Sequence, residues 1–258
     1  MGAYTHGYSA GAMRTMAGRT AERQAAFFLP RLTAGARVLD VGCGPGTITL
    51  GLARAVAPGE VVGVDIEPSQ VERARALAAE QGVANVRFEV GRAEALPFPD
   101  GSCDVAFEHT VLEHVADPLA VLREIRRVLR QGGLVGMRDG DWGTMVIIPH
   151  CPELEQAMAL YERLWRHNGG DARFGRRHRP LLREAGFTPL ETTLGIASLP
   201  PQVIVARLTA PDFTDQVVEL GWVDRATLEG WPAPIAAWGR DPDALVADLM
   251  FETIARRD

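Results

Sequence analysis

Lysine is absent from this chain, and all 27 basic residues are arginine. Guanidinium is planar, permanently charged and not nucleophilic. Schiff-base catalysis, a pyridoxal-phosphate anchor and a Walker-type phosphate loop each need a primary amine on a flexible stem, so all three are excluded. Cysteine is scarce: Cys43, Cys103 and Cys151 are an odd number without CxxC spacing. That excludes a disulfide framework and fits a reducing compartment. No apolar run approaches the roughly 18 residues that span a bilayer. The segment MGAYTHGYS lacks the basic-then-apolar order of an export signal and, with His6 in sixth place, the pattern for myristoylation. A cytoplasmic protein with no membrane partner is expected. Acidic residues outnumber basic ones, 33 to 27, for a formal charge of −6, so nucleic acid is not an expected partner either.

What is present is apolar content, 47% of residues against 23% charged, enough for one large domain or a domain with a small cap. Short apolar runs at 37–41, 61–65, 86–90, 105–107 and 134–138 alternate with helical stretches at 47–56, 69–81 and 119–129. Runs such as VLDV, VVGV and LVGM are apolar on both strand faces, which is what burial between two helical layers requires. The expected fold is α/β: a doubly wound, Rossmann-like, seven-stranded and mostly parallel sheet with helices on both faces and a helical substrate cap. Residues 1–36 read as a helical lid, with a helix over 12–32 broken by Pro30 and Tyr4, His6 and Tyr8 at its head. Residues 37–140 form the core, and 141–258 supply the rest of the sheet with cap insertions. In that last part helices are predicted at 152–167 and 176–184, strands at 188–196 and 250–256, and an irregular Pro- and Trp-rich helical insertion at 200–243.

The most informative segment is VLDVGCGPGT, residues 38–47. Gly42, Gly44 and Gly46 follow a strand and precede a helix, where missing Cβ atoms allow a sharp turn and close approach to a nucleotide-like ligand. A dinucleotide loop would carry Gly or Ala at 47, whereas this one has Thr47 and an internal Pro45. Asp65 closes the second strand 19 residues after Gly46, placed to accept hydrogen bonds from ribose hydroxyls. With Asp40 beside the loop, a cationic cofactor is preferred over a pyrophosphate.

DVGCGPG, then VDIEP, GRAEALPFPDGSCD, VLEHVADP and LRQGG, resemble the class I S-adenosylmethionine-dependent methyltransferases. They are most similar to the branch that includes ubiquinone and menaquinone biosynthesis and many natural-product enzymes. The resemblance covers residues 37–140. It implies S-adenosyl-L-methionine as cofactor and S-adenosyl-L-homocysteine as product. Gly42, Gly44 and Gly46 would face the methionine part with Cys43 as a small loop filler, Asp40 would sit nearby, and Asp65 with Ile66 would hold the ribose and one adenine face. Arg92 stands where similar enzymes have Asp, leaving the amides of Ala93 and Glu94 for adenine. Glu108 would line the methionine end, covered by Tyr8 and Arg19.

Methyl transfer from a sulfonium is an in-line displacement, governed by alignment and exclusion of water. His109, read as lying two residues past the fourth strand, is the first choice for a general base. Asp139, with Arg138 and Asp141, is read as following the fifth strand. It is a second catalytic candidate, with orientation of substrate, Mg²⁺ binding or a solvated turn as its possible roles; no metal is expected. His114 is assigned to packing. Arg173, Arg176, Arg177, Arg179 and Arg183, around His178, read as a solvated helix face in preference to an anion site. The expected activity is methyl transfer to O, N or C of a small, partly apolar metabolite by a monomer or homodimer. The alternatives are RNA or protein methylation, or a non-methylating cofactor-binding protein or cyclase on the same fold.

Overall fold

The computed structural model describes residues 10–258; Tyr4, His6 and Tyr8 lie outside them. The strands are β1 (Val38–Val41), β2 (Val61–Asp65), β3 (Val86–Val90), β4 (Cys103–His109), β5 (Leu129–Ile148), β6 (Phe187–Leu199) and β7 (Leu245–Arg257). They form one sheet in the order β3-β2-β1-β4-β5-β7-β6. The first four pairings are parallel, and β7 runs antiparallel to both β5 and β6. Strand order reverses at β1, where connections leave in opposite directions and open a crevice at the strands' carboxyl ends.

The helices, in chain order, are α1 (Ala10–Ala17), α2 (Ala21–Gln24), α3 (Thr47–Val56), α4 (Pro68–Glu80), α5 (Pro118–Val128), α6 (Pro152–His167), α7 (His178–Glu184), α8 (Pro201–Leu208), α9 (Pro211–Glu219), α10 (Arg225–Glu229) and α11 (Pro232–Trp238). Local chemistry fixes several starts. Glu67 accepts from the Ser69 amide at 3.1 Å and Asp117 from that of Ala120 at 2.9 Å, each followed by a proline in the first turn.

On one face of the sheet Leu39, Val41, Ala106, Val135 and Met137 pack against Val121, Leu122 and Ile125 of α5. On the other, Val38, Val61, Val105 and Phe107 pack with Ile48, Leu52 and Val56 of α3. Each such side chain contributes about 1.5–3 kcal/mol by leaving water. A second core joins α6, α8, α9 and α11 around Trp165, Phe213, Trp231 and Trp238.

Three boundaries depart from the sequence reading. The helix expected over 12–32, with its break at Pro30, divides earlier as well, into α1, α2 and a single 3₁₀ turn at Leu29–Arg31 that contains Pro30; Gly18 follows the end of α1. β4 continues through His109, so Glu108 and His109 are strand residues. β5 does not stop at Arg138 but runs 20 residues, pairing Asp139 with Phe251 and Asp141 with Leu249. The segment RDGDW is therefore sheet rather than a solvated turn.

Candidate active site

The glycine loop is tied to β2 by backbone: the amides of Gly42 and Cys43 donate to the Val64 carbonyl at 2.7 and 3.0 Å. Gly42, Gly44 and Gly46 take left-handed φ values of +70°, +51° and +82°, a region that strongly favours glycine. The Asp65 carboxylate accepts from the Gly44 amide at 2.8 Å and from that of Glu67 at 2.9 Å. Strand tip and loop thus hold each other. Burial raises the Asp65 pKa, and these two amides oppose the shift. Asp40 is deeper. Its carboxyl accepts from the Thr49 hydroxyl at 2.6 Å, and burial pushes its pKa up to about 7, with the charge of Asp65 adding to the rise.

Above the loop lies a cavity of about 370 Å³. Asp40, Gly42, Cys43, Gly44, Asp65, Ile66, Arg92, Ala93 and Glu94 line one part, and Arg19, His109 and His114 another. Ile66 is 52% exposed, an apolar surface suited to a flat ring. Arg92 reaches Glu94 at 3.2 Å. A Cβ on Gly44 would meet no protein atom within 4 Å, whereas one on Gly42 would lie 2.3 Å from Val111 Cγ2. Gly42 therefore fits against the wall and Gly44 faces open space, a cradle for a close-lying ligand. Gly46 sits beneath, against Ala74 and Phe88.

Two expected contacts move away from the cavity. Glu108 is fully buried behind it, where its Oε2 accepts from the Val111 amide at 3.3 Å. Asp139 is also fully buried; its carboxylate meets His178 Nε2 at 2.9 Å and the Glu113 amide at 3.4 Å. Neither is among the residues that line the cavity. Glu108, Asp139 and His178 each bring one potential ligating atom within 4.8 Å of the others. Burial raises the Glu108 pKa well above the usual carboxylate range, and the charge of Asp139 and a hydrogen bond with it push the same way.

His109 reaches the cavity but not as a free base. Arg138 Nη1 lies 3.0 Å from its Nε2. Arginine only donates, so Nε2 accepts and the ring proton sits on Nδ1. Burial, then the charges of Arg19 and Arg138, hold its pKa well below the ordinary imidazole value. Arg138 is itself fixed by Glu252 at 2.9 Å and Gln24 at 2.8 Å.

His114 stacks on Trp165 with ring centroids 4.8 Å apart, and its ring also lines the cavity. Arg173, Arg176 and Arg177 are half-exposed and paired with Glu162, Asp141 and Asp171. His178, amid them in sequence, is buried. The three cysteines are free thiols. Sequence reasoning missed Met16, Gln70, Thr110, Val111 and Asn168 as lining residues. Only Thr110 carried a signal, its place immediately beyond an apolar strand at the ligand edge.

A parallel sheet with a glycine loop after its first strand and a carboxylate facing that loop from its second defines a Rossmann-like nucleoside-binding protein. Residues 32–186 match the family model described as a methyltransferase domain. The chain is 38% identical over 128 residues to demethylmenaquinone methyltransferase of Lactococcus lactis subsp. lactis, covering 49% of this chain and 48% of that one. It is 34% identical over 162 residues to the O-methyltransferase resE of Aspergillus sclerotiorum, 62% of this chain and 58% of the relative. The structure of YcgJ from Bacillus subtilis superposes with a TM-score of 0.60 at 23% identity, covering 90% of this chain and 98% of that one. The chain spans about half the length of the curated relatives it matches. It belongs to the class I S-adenosylmethionine-dependent methyltransferases.

Proposed function

We propose that this protein transfers a methyl group from S-adenosylmethionine to an O, N or C atom of a small, partly apolar metabolite. The supporting observation is that one cavity carries both the Asp65–glycine-loop pair and, at another part, the His109–Thr110 strand tip. When bound, the cofactor supplies an electrophilic methyl group on a sulfonium. Asp65 would accept from ribose hydroxyls, Gly42 and Gly44 would face the methionine part, and Ile66 would offer its exposed side chain to one face of adenine. Val111, Val115 and Ala116 line the same cavity and give the acceptor an apolar wall that keeps water from the reacting atoms. A net charge of −6 disfavours a polyanionic acceptor. Among the described residues, no helix is long and apolar enough to cross a membrane.

Incubation with methyl-labelled S-adenosylmethionine and candidate metabolites should move label from cofactor to acceptor. Asp65→Ala should weaken cofactor binding by about 1–3 kcal/mol, the scale of ribose hydroxyls left unpaired. Unaltered affinity in a calorimetric titration would count against the clamp.

Asp40 gives a finer test. Its carboxyl ionises as pH rises through about 7, and the anion attracts a sulfonium but not a neutral thioether. Affinity for S-adenosylmethionine relative to S-adenosylhomocysteine should therefore increase between pH 6 and pH 8, and Asp40→Asn should abolish that increase. A ratio that does not change with pH in the wild type would remove Asp40 from contact with the cofactor's charge.

A further inference from the structure

Thr110 is the one non-glycine residue with positive φ among the described residues, at +55°. A β-branched side chain is strained there. The strained residue stands at the tip of β4, where its amide donates to the Arg138 carbonyl at 2.8 Å and its side chain lines the cavity.

Two donors converge on its hydroxyl oxygen. Arg19 Nη1 lies 3.2 Å away, and His109 Nδ1, the nitrogen that carries the ring proton, 3.4 Å away. A hydroxyl has two lone pairs and one proton. With both lone pairs engaged, Oγ1 has only its proton left to offer. Upstream, Arg138 donates to His109 Nε2 while Glu252 and Gln24 hold the guanidinium in place. Each link orients the next, and bonds in such a series polarise one another.

We infer that Arg138, His109 and Thr110 form a donor chain, steadied by Arg19, that presents the Thr110 hydroxyl proton to an oxyanion in the cavity. The inference rests on the methyltransferase reading and narrows it. The hydroxyl proton on offer, with the Arg19 guanidinium 3.2 Å from the same oxygen, suits an anionic oxygen and disfavours an ammonium. The oxyanion has two sources: the carboxylate on the methionine part of the cofactor, or an anionic oxygen of the acceptor such as a phenolate, enolate or carboxylate. Arg138 and His109 are then positioning residues, and His109 works as a neutral donor.

Nitrogen-15 NMR of the wild-type protein at pH 7 should show His109 protonated on Nδ1 and bare on Nε2. Protonation on Nε2 overturns the chain while leaving the cofactor reading intact. Arg138→Met should release the ring, so that a share of molecules carries the proton on Nε2.

Calorimetry separates the two sources, using S-adenosylhomocysteine, 5′-methylthioadenosine, which has the same nucleoside thioether but no amino-acid part, and benzoate as an oxyanion probe titrated into the S-adenosylhomocysteine complex. Should Thr110→Val weaken S-adenosylhomocysteine about tenfold or more and spare 5′-methylthioadenosine, the occupant is the cofactor carboxylate. If both nucleosides bind as in the wild type and benzoate alone is lost, the occupant is the acceptor's oxyanion. Thr110→Ser, which keeps the hydroxyl, should restore either. No loss in any of the three titrations overturns the inference, as does equal loss of both nucleosides, because the hydroxyl would then serve the nucleoside. Failure of both nucleosides to bind the wild-type protein overturns the methyltransferase reading instead.

Discussion

Gly42→Ala is expected to remove most cofactor binding and to lower stability by about 3 kcal/mol, through two separable effects. The first is backbone strain: at φ +70° an L-residue costs about 1–2 kcal/mol. The second is a collision. The new Cβ would lie 2.3 Å from Val111 Cγ2, 3.2 Å from Cγ1 and 3.3 Å from Cβ. Rotation of the Val111 side chain would shift Cγ1 and Cγ2 but not the Cβ at 3.3 Å. Its backbone cannot move freely either, because Glu108 holds the amide. Overpacking of this kind costs about 1–3 kcal/mol. Gly44→Ala isolates the first effect, since at φ +51° its Cβ meets no protein atom within 4 Å; it should cost about 1–2 kcal/mol of stability while its methyl group obstructs the ligand. Adding Val111→Ala to Gly42→Ala should recover the collision but not the strain. Urea unfolding of the four proteins checks this. Equal destabilisation by Gly42→Ala and Gly44→Ala would show that Val111 does not confine the loop.

That contrast marks what a sequence displays and what it hides. Gly42, Gly44 and Asp65 were legible because a tight turn and a carboxylate at a strand tip are chemical requirements met within one βαβ unit. Val111 was not, since its contact with Gly42 crosses from β1 to the end of β4 and no local pattern encodes it. The same holds at the far end of β5. Arg138, Asp139 and Asp141 look like a solvated turn because charged residues seldom enter a sheet interior alone. They are buried because each finds its partner elsewhere in the chain: Glu252, His178 and Arg176 respectively. Burial of charge is decided by pairing, and pairing by register. His109 lines the cavity, and what no local pattern displays is that Arg138 on the neighbouring strand meets the lone pair of its Nε2.

The buried carboxyl pair behind the cavity gives the second large effect. Glu108 keeps a proton in the folded protein, because burial first and the charge of Asp139 second raise its pKa well above 4.5. In the unfolded chain the same group loses that proton near pH 4.3. Above that pH the folded state binds one proton more than the unfolded state, so stability falls as pH rises, by up to about 1.4 kcal/mol per pH unit for one proton, until the folded group also ionises. Glu108→Gln replaces the protonated acid with a neutral amide that still accepts from the Val111 amide and donates to Asp139. It should match the wild type near pH 4.5 and become progressively more stable than it between pH 5 and pH 8. Asp40 and Asp248, each raised to about 7, also make stability depend on pH, but they are common to both proteins and cancel in the difference. Glu108→Ala, by contrast, strands the Val111 amide, so it should run parallel to Glu108→Gln across the pH range and lie about 3 kcal/mol below it. Chemical unfolding of the three proteins at unit steps of pH measures the slopes. Parallel curves for Glu108→Gln and wild type would mean that Glu108 is ionised in the fold.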